Sequence, residues 1–143
     1  MRALLAEGIR DRRVLAGFRD VPRARFVPRF ADLAAQARAN LAAAGVAGVT
    51  VVVGDGTLGV PDHAPYQAIV VSAAAPRVPG PLVAQLADGG RLVQPVGPGG
   101  REDVTAFSKQ AGRLVAGIRL VPARFVPLVG THGTRAGKDR GGP

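Results

Sequence analysis

At 143 residues, 47% of them hydrophobic, the chain has the length for one domain with a single buried core and is too short for two full ones. It has no cysteine, which excludes a disulfide framework, thiolate metal sites and a cysteine nucleophile. The net charge of +9 comes with only 4% aromatic residues, too few for the stacking platforms of single-strand nucleic-acid binders, so weak attraction to polyanions is expected rather than specific nucleic-acid recognition.

Residues 4–19, LLAEGIRDRRVLAGFR, place Leu4, Leu5, Ile9, Val14, Leu15 and Phe18 near helical spacing, weakened by Gly8 and Gly17. Charges every few residues leave no signal-peptide core, and no apolar run approaches the roughly eighteen residues that cross a bilayer. A cytoplasmic protein without membrane attachment is the expectation. DVPRARFVPRF (20–30) contains Pro22 and Pro28 and reads as extended or turning chain. DLAAQARANLAAA (32–44) predicts a helix with Asp32 in its first turn, Leu33, Ala37 and Leu41 on one face, and Gly45 at its end.

The period then changes. VTVVV (49–53) is a β-branched run, the pattern of a strand buried on both faces. GDGTLGVPDHAP (54–65) is loop, QAIVVS (67–72) a second buried strand, and AAAPRVP (73–79) loop again. GPLVAQLAD (80–88) predicts a short helix stopped by Gly89-Gly90, followed by a third strand, RLVQPV (91–96). DVTAFSKQAGRLVAGIRL (103–120) reads as two strands joined around Gln110-Ala111-Gly112, and ARFVPLVG (123–130) as a last extended piece. THGTRAGKDRGGP (131–143) is polar, glycine-rich and basic, and is expected to be a disordered tail on a domain spanning 1–130. This order predicts an α/β sandwich around a parallel sheet with an antiparallel hairpin at its edge.

Charge follows the same division. Residues 1–40 carry nine arginines against four acids, 41–99 two against three, 100–130 five basic residues against two acids, and 131–143 three against one. The centre is thus nearly neutral.

In an open parallel sheet, ligands sit beyond the carboxyl ends of the strands. Two loops fall there: Gly54-Asp55-Gly56 after the first strand and Ser72-Ala73-Ala74-Ala75-Pro76 after the second. The glycines permit a sharp turn and close approach of a ligand to the backbone. Asp55 either accepts a hydrogen bond from an exocyclic amine such as that of adenine, or closes an Asx-turn with its own backbone.

The ordered string VVVGDGTLGVPDHAPYQAIVVSAAAPRVPGPLVAQLADGGRLVQPVG (51–97) resembles protein-L-isoaspartate O-methyltransferases nearly position by position. So do GIRDRRVLAGFRDVPRARFVP (8–28), ADLAAQARANLAAAGVAGVTVVVGDG (31–56) and VPARFVPLVG (121–130). The resemblance implies a Rossmann-like class I methyltransferase sandwich. It also implies methyl transfer from S-adenosylmethionine to the carboxylate of isoaspartyl residues in damaged proteins, without a metal. Carried over, Gly54, Asp55 and Gly56 meet the adenine end of the cofactor. Ala73, Ala74, Ala75 and Pro76 lie beside the methyl group and the substrate carboxylate, and Arg124, Phe125, Val126 and Pro127 wall the peptide groove.

The chain departs from that pattern between FVPR (26–29) and ADLAAQA (31–37). There the family carries a substrate-holding serine segment, a strand, a GxGxG loop, a helix and a second strand ending in a ribose-binding acid. A βαβ unit takes about 30 residues, and none fits here. The fold is therefore expected to lack its first βαβ unit, with 49–53 and 67–72 as direct parallel neighbours and an open sheet edge inviting self-association. Losing several charge-assisted hydrogen bonds, each worth about 1.5–3 kcal/mol, weakens cofactor affinity about a thousandfold or more, so no certain catalytic residue is assigned and no methyl transfer by this chain alone is expected. Two other functions fit the same residues: a non-catalytic remnant, or a small basic α/β module that binds peptides. His63, between Pro61 and Pro65, reads as a solvated loop residue, and Tyr66 as packed over the preceding turn with its hydroxyl in water.

Overall fold

The alanine-rich stretch after Phe30 forms helix α1 (Ala31–Ala43), with Asp32 in the first turn, where the helix dipole favours a negative charge. Its end is built by Gly45 in the left-handed region (φ 64°). Gly45 N donates to Ala42 O and Val46 N to Leu41 O, both at 3.0 Å, the bond pair of a Schellman cap. Ala34 is fully buried, and Ala37 and Leu41 are half-buried. Leu33, expected on that face, is 54% exposed, because the inward stripe starts one residue later.

The computed structural model describes residues 29–134. The expected helix at 4–19, the extended segment up to residue 28 and residues 135–143 lie outside the described residues. The chain divides into two compact units, Met1–Val53 and Gly54–Pro143. In the first unit, Arg38 Nη2 donates to Val51 O at 2.8 Å.

The second unit holds a four-stranded sheet in the order β1-β2-β3-β4: β1 (Tyr66–Val70), β2 (Leu86–Val96), β3 (Glu102–Gln110) and β4 (Arg113–Ala123). β1 and β2 are parallel, joined through helix α2 (Gly80–Gln85), and the remaining pairs are antiparallel. A parallel pair needs such a crossover, whereas β3 and β4 need only a tight turn. That turn is Ala111-Gly112, with φ of 49° and 75°, the doubly left-handed geometry that matches strand twist. Leu82 of α2 meets Leu86 and Leu92 of β2 in the core, flanked by Ile69, Val71, Phe107 and Leu114. Each fully buried leucine contributes about 1.5–3 kcal/mol relative to exposure.

Three expectations are corrected. First, 49–53 does not form a continuous strand: among its residues only Val51 carries a bridge. β-branched residues favour a strand only where a neighbour supplies a continuous ladder, and the Val51 carbonyl accepts from the Arg38 guanidinium.

Second, Gly89-Gly90 does not stop a helix. α2 ends at Gln85, and β2 runs through both glycines as an irregularity, its register jumping between Tyr66↔Leu86 and Ala68↔Arg91. Gly89 has φ 78°, and a Cβ on Gly90 would lie 2.8 Å from Ala87 O and 3.1 Å from Gln67 O, so the distortion needs glycine at both positions.

Third, Thr131 to Thr134, expected in the tail, are tied into the second unit by hydrogen bonds. No helix among the described residues is long and apolar enough to cross a membrane.

Candidate functional site

Gly54 leads into a sharp turn at Asp55, whose carboxylate caps a single 3₁₀ turn, Gly56–Leu58. Oδ1 accepts from Thr57 N (2.9 Å) and Thr57 Oγ1 (2.7 Å), closing an Asx-turn. Oδ2 accepts from Thr131 N (2.8 Å) and Thr131 Oγ1 (2.9 Å), and His132 N donates to Thr57 Oγ1 (3.1 Å). Gly130 completes the knot, because a Cβ there would collide with Asp55 Oδ1. Partial burial works to raise the Asp55 pKa, but the donors from Thr131 and Thr57 outweigh it, lowering it from 3.8 to about 2.

The next stretch of loop is fixed from α2. Gln85 Oε1 accepts from Val60 N (2.9 Å) and its Nε2 donates to Leu58 O (2.7 Å). Tyr66 also serves this loop: its hydroxyl, expected in water, donates to Val60 O at 2.7 Å. His63 is exposed, as expected of a loop residue.

The other two predicted segments meet. Ala74 N donates to Val126 O (2.8 Å) and Leu128 N to Ala74 O (2.7 Å), so Ala74 and Pro127 form a parallel bridge. On its other side the loop joins the end of β2, where Ala75 N donates to Pro95 O (3.3 Å) and Gly97 N to Ala75 O (3.2 Å). A cavity of about 490 Å³ opens here, walled by Ala74, Ala75, Pro76, Phe125 and Pro127 and rimmed by the turn Gly97–Gly100. Ala73, Arg124 and Val126 are not among its walls, and Arg124 and Val126 are exposed.

Glu102 also lines the cavity. It is 1% exposed, and its Oε2 accepts from Phe125 N at 3.2 Å, tying the start of β3 to the wall segment. Its Oε1 is buried without a hydrogen-bond partner among the described residues.

Sequence reasoning missed Glu102, Thr57, Thr131 and Gln85. Thr57 two residues after an aspartate, and glycines at 130 and 133 bracketing Thr131-His132, were the available signals. Segment 124–134 links the two loops, for Leu128 also accepts from Thr134 N (2.7 Å) and Thr134 Oγ1 (3.0 Å).

A family model described as protein-L-isoaspartate(D-aspartate) O-methyltransferase matches residues 27–133, which leaves most of the similar-looking 8–28 outside the matched stretch. Over 107 residues the chain is 55% identical to the protein-L-isoaspartate O-methyltransferase of Methanoculleus marisnigri, covering 75% of this chain and 48% of the relative. The corresponding protein of Methanoregula boonei is 49% identical over 107 residues, with coverages of 75% and 49%. The chain thus spans about half the length of these curated relatives.

A solved protein-L-isoaspartate O-methyltransferase superposes with a TM-score of 0.67 at 31% identity, covering 75% of this chain and 34% of that one. A second solved structure, described as a putative enzyme of this kind from Plasmodium falciparum in complex with S-adenosyl-L-homocysteine, shares the fold with a TM-score of 0.60 at 21% identity, covering 72% and 50%. The described sheet is accordingly a partial Rossmann-like methyltransferase fold.

Proposed function

The chain belongs to the protein-L-isoaspartate(D-aspartate) O-methyltransferase family, and from that premise we propose that it carries the peptide-recognition part of an S-adenosylmethionine-dependent repair methyltransferase. Its substrates are isoaspartyl-containing proteins and peptides, and its place is the cytoplasm. The observation that carries this reading is the parallel bridge between Ala74 and Pro127, which sets the two segments assigned to substrate around one cavity. Ala74 to Pro76 offer backbone beside the reacting carboxylate, and Phe125 and Pro127 form the groove wall.

The cofactor side is less well provided. S-adenosylmethionine, when bound, supplies the methyl group, and a substrate carboxylate oxygen is already nucleophilic at neutral pH. The protein's contribution is then alignment and exclusion of water. Each Asp55 oxygen already accepts two hydrogen bonds, which fills its lone-pair sites and leaves none for an adenine amine. Gly54 and Gly56 contribute backbone only. Cofactor affinity is therefore weak or absent, and this chain alone transfers no methyl group at a detectable rate. The remaining activity is that of a small basic peptide-binding module.

Two measurements test the reading. Fluorescence anisotropy with a labelled isoaspartyl peptide should show saturable binding, with the aspartyl isomer competing poorly. Thermal unfolding with S-adenosylhomocysteine should show no shift, whereas occupancy at 100 times the dissociation constant would add about 2.7 kcal/mol. A clear shift would restore the cofactor site, and absence of peptide binding would remove the groove.

A further inference from the structure

We infer that Glu102 holds the main chain of a peptide in the cavity, its carboxylate turning on binding so that Oε1, buried and without a partner among the described residues, accepts a hydrogen bond from a peptide N–H. This rests on the reading of the cavity as a peptide groove. A carboxylate oxygen taken out of water retains its need for donors, and the described residues give Glu102 one, Phe125 N on Oε2. Gln94 Oε1 is also buried without a partner, but Gln94 does not line the cavity.

The rim turn holds the stem of the side chain and not its carboxylate. A Cβ on Gly97 would lie 3.0 Å from Glu102 Cα and 3.3 Å from its Cγ, so the backbone of the rim turn packs directly on the glutamate. Only glycine at 97 leaves the side chain its place.

The surroundings select the kind of ligand group. Pro76, Pro98 and Pro127 on the cavity walls have no N–H, so these positions offer carbonyl acceptors and no donors. A buried carboxylate repels a second one, so the isoaspartyl carboxylate itself cannot settle against Glu102. A peptide N–H fits both constraints. Glu102 would hold the substrate main chain by its amide and keep the reacting carboxylate at a distance.

The test uses the full chain, a fluorescein-labelled isoaspartyl hexapeptide and the same peptide N-methylated at one amide at a time. With wild-type protein, N-methylation at one position should weaken binding about tenfold or more, the loss expected for a hydrogen bond to a charged group. Glu102→Gln and Glu102→Ala should lose a similar factor with the parent peptide, and methylation at that position should then cost nothing further. Glu102→Gln retains an oxygen for Phe125 N, so it serves as the probe if Glu102→Ala does not melt cooperatively. If no methylated position loses its effect in the variants, the assignment of Glu102 is overturned while the groove stands. If the wild-type chain binds no isoaspartyl peptide, the groove reading falls and this assignment with it.

Discussion

Asp55 and Glu102 carry the same functional group within one compact unit, and their surroundings treat it in opposite ways. Asp55 sits in a half-buried turn and receives four donors, two from Thr57 and two from Thr131. Glu102 is almost wholly buried and receives one, from Phe125. A carboxylate whose lone pairs are all used inside the chain is a fastener, whereas one left with a bare oxygen beside a cavity has capacity for a ligand. The resemblance assigns ligand binding to Asp55, whereas the role proposed above falls to Glu102.

That contrast can be broken most directly at Asp55. Asp55→Ala strands the donors of Thr57 and Thr131 and should cost about 3 kcal/mol in urea unfolding. A loss below about 1 kcal/mol would show that the knot holds nothing.

Acid titration sharpens the same point. The Asp55 pKa is lower in the folded chain, so its contribution to stability is complete above the ordinary value of 3.8 and is lost as pH falls from there through about 2. With screening by solvent allowed for, the loss is about 1–2 kcal/mol, and Asp55→Asn should abolish that part of the pH dependence. A wild-type and an Asp55→Asn chain with superimposable acid-unfolding curves would contradict the lowered pKa.

A smaller effect is expected from Thr131→Val, which removes one of the four donors while keeping the backbone one. It should cost about 1 kcal/mol and leave the cooperativity of unfolding unchanged.

The smallest concerns Glu102. In the absence of peptide, Glu102→Gln should change stability by no more than about 0.5 kcal/mol, because it keeps an acceptor for Phe125 N and removes a poorly solvated charge. A loss as large as that of Asp55→Ala would make Glu102 a second fastener and erase the distinction.

Much of the fold was legible where local chemistry decides it. α1 is within one residue of expectation at both ends, because Asp32 and Gly45 mark its start and stop chemically. The β3–β4 hairpin turns at Ala111-Gly112, within the Gln110-Ala111-Gly112 stretch read as the join. Legibility failed where a residue type has two uses. Paired glycines end helices and also permit irregular strands, and only the backbone crowding at Gly90 tells the two apart. VTVVV carries strand propensity, but propensity supplies no neighbour for its ladder.

The site followed the same rule. The segments 73–76 and 124–127 were readable as loop and extended chain, and the structure brings Ala74 to Pro127. Glu102 gave no sign, since a glutamate opening a strand normally faces water. It packs against Gly97 of the rim turn and accepts from Phe125 N, 23 residues later, a partner that no local pattern announces. Thr131 was hidden by composition, because a polar, glycine-rich end resembles a tail until its donors find an acid 76 residues earlier.

The strap from Phe125 to Thr134 bonds in turn to Glu102, to Ala74 and to Asp55. Fraying at any one of these attachments releases restraint on the other two, so their amides belong to one opening event with a shared protection free energy. Occupancy at the Ala74 end should therefore slow solvent exchange at the Thr131 amide, which hydrogen exchange with and without peptide would measure.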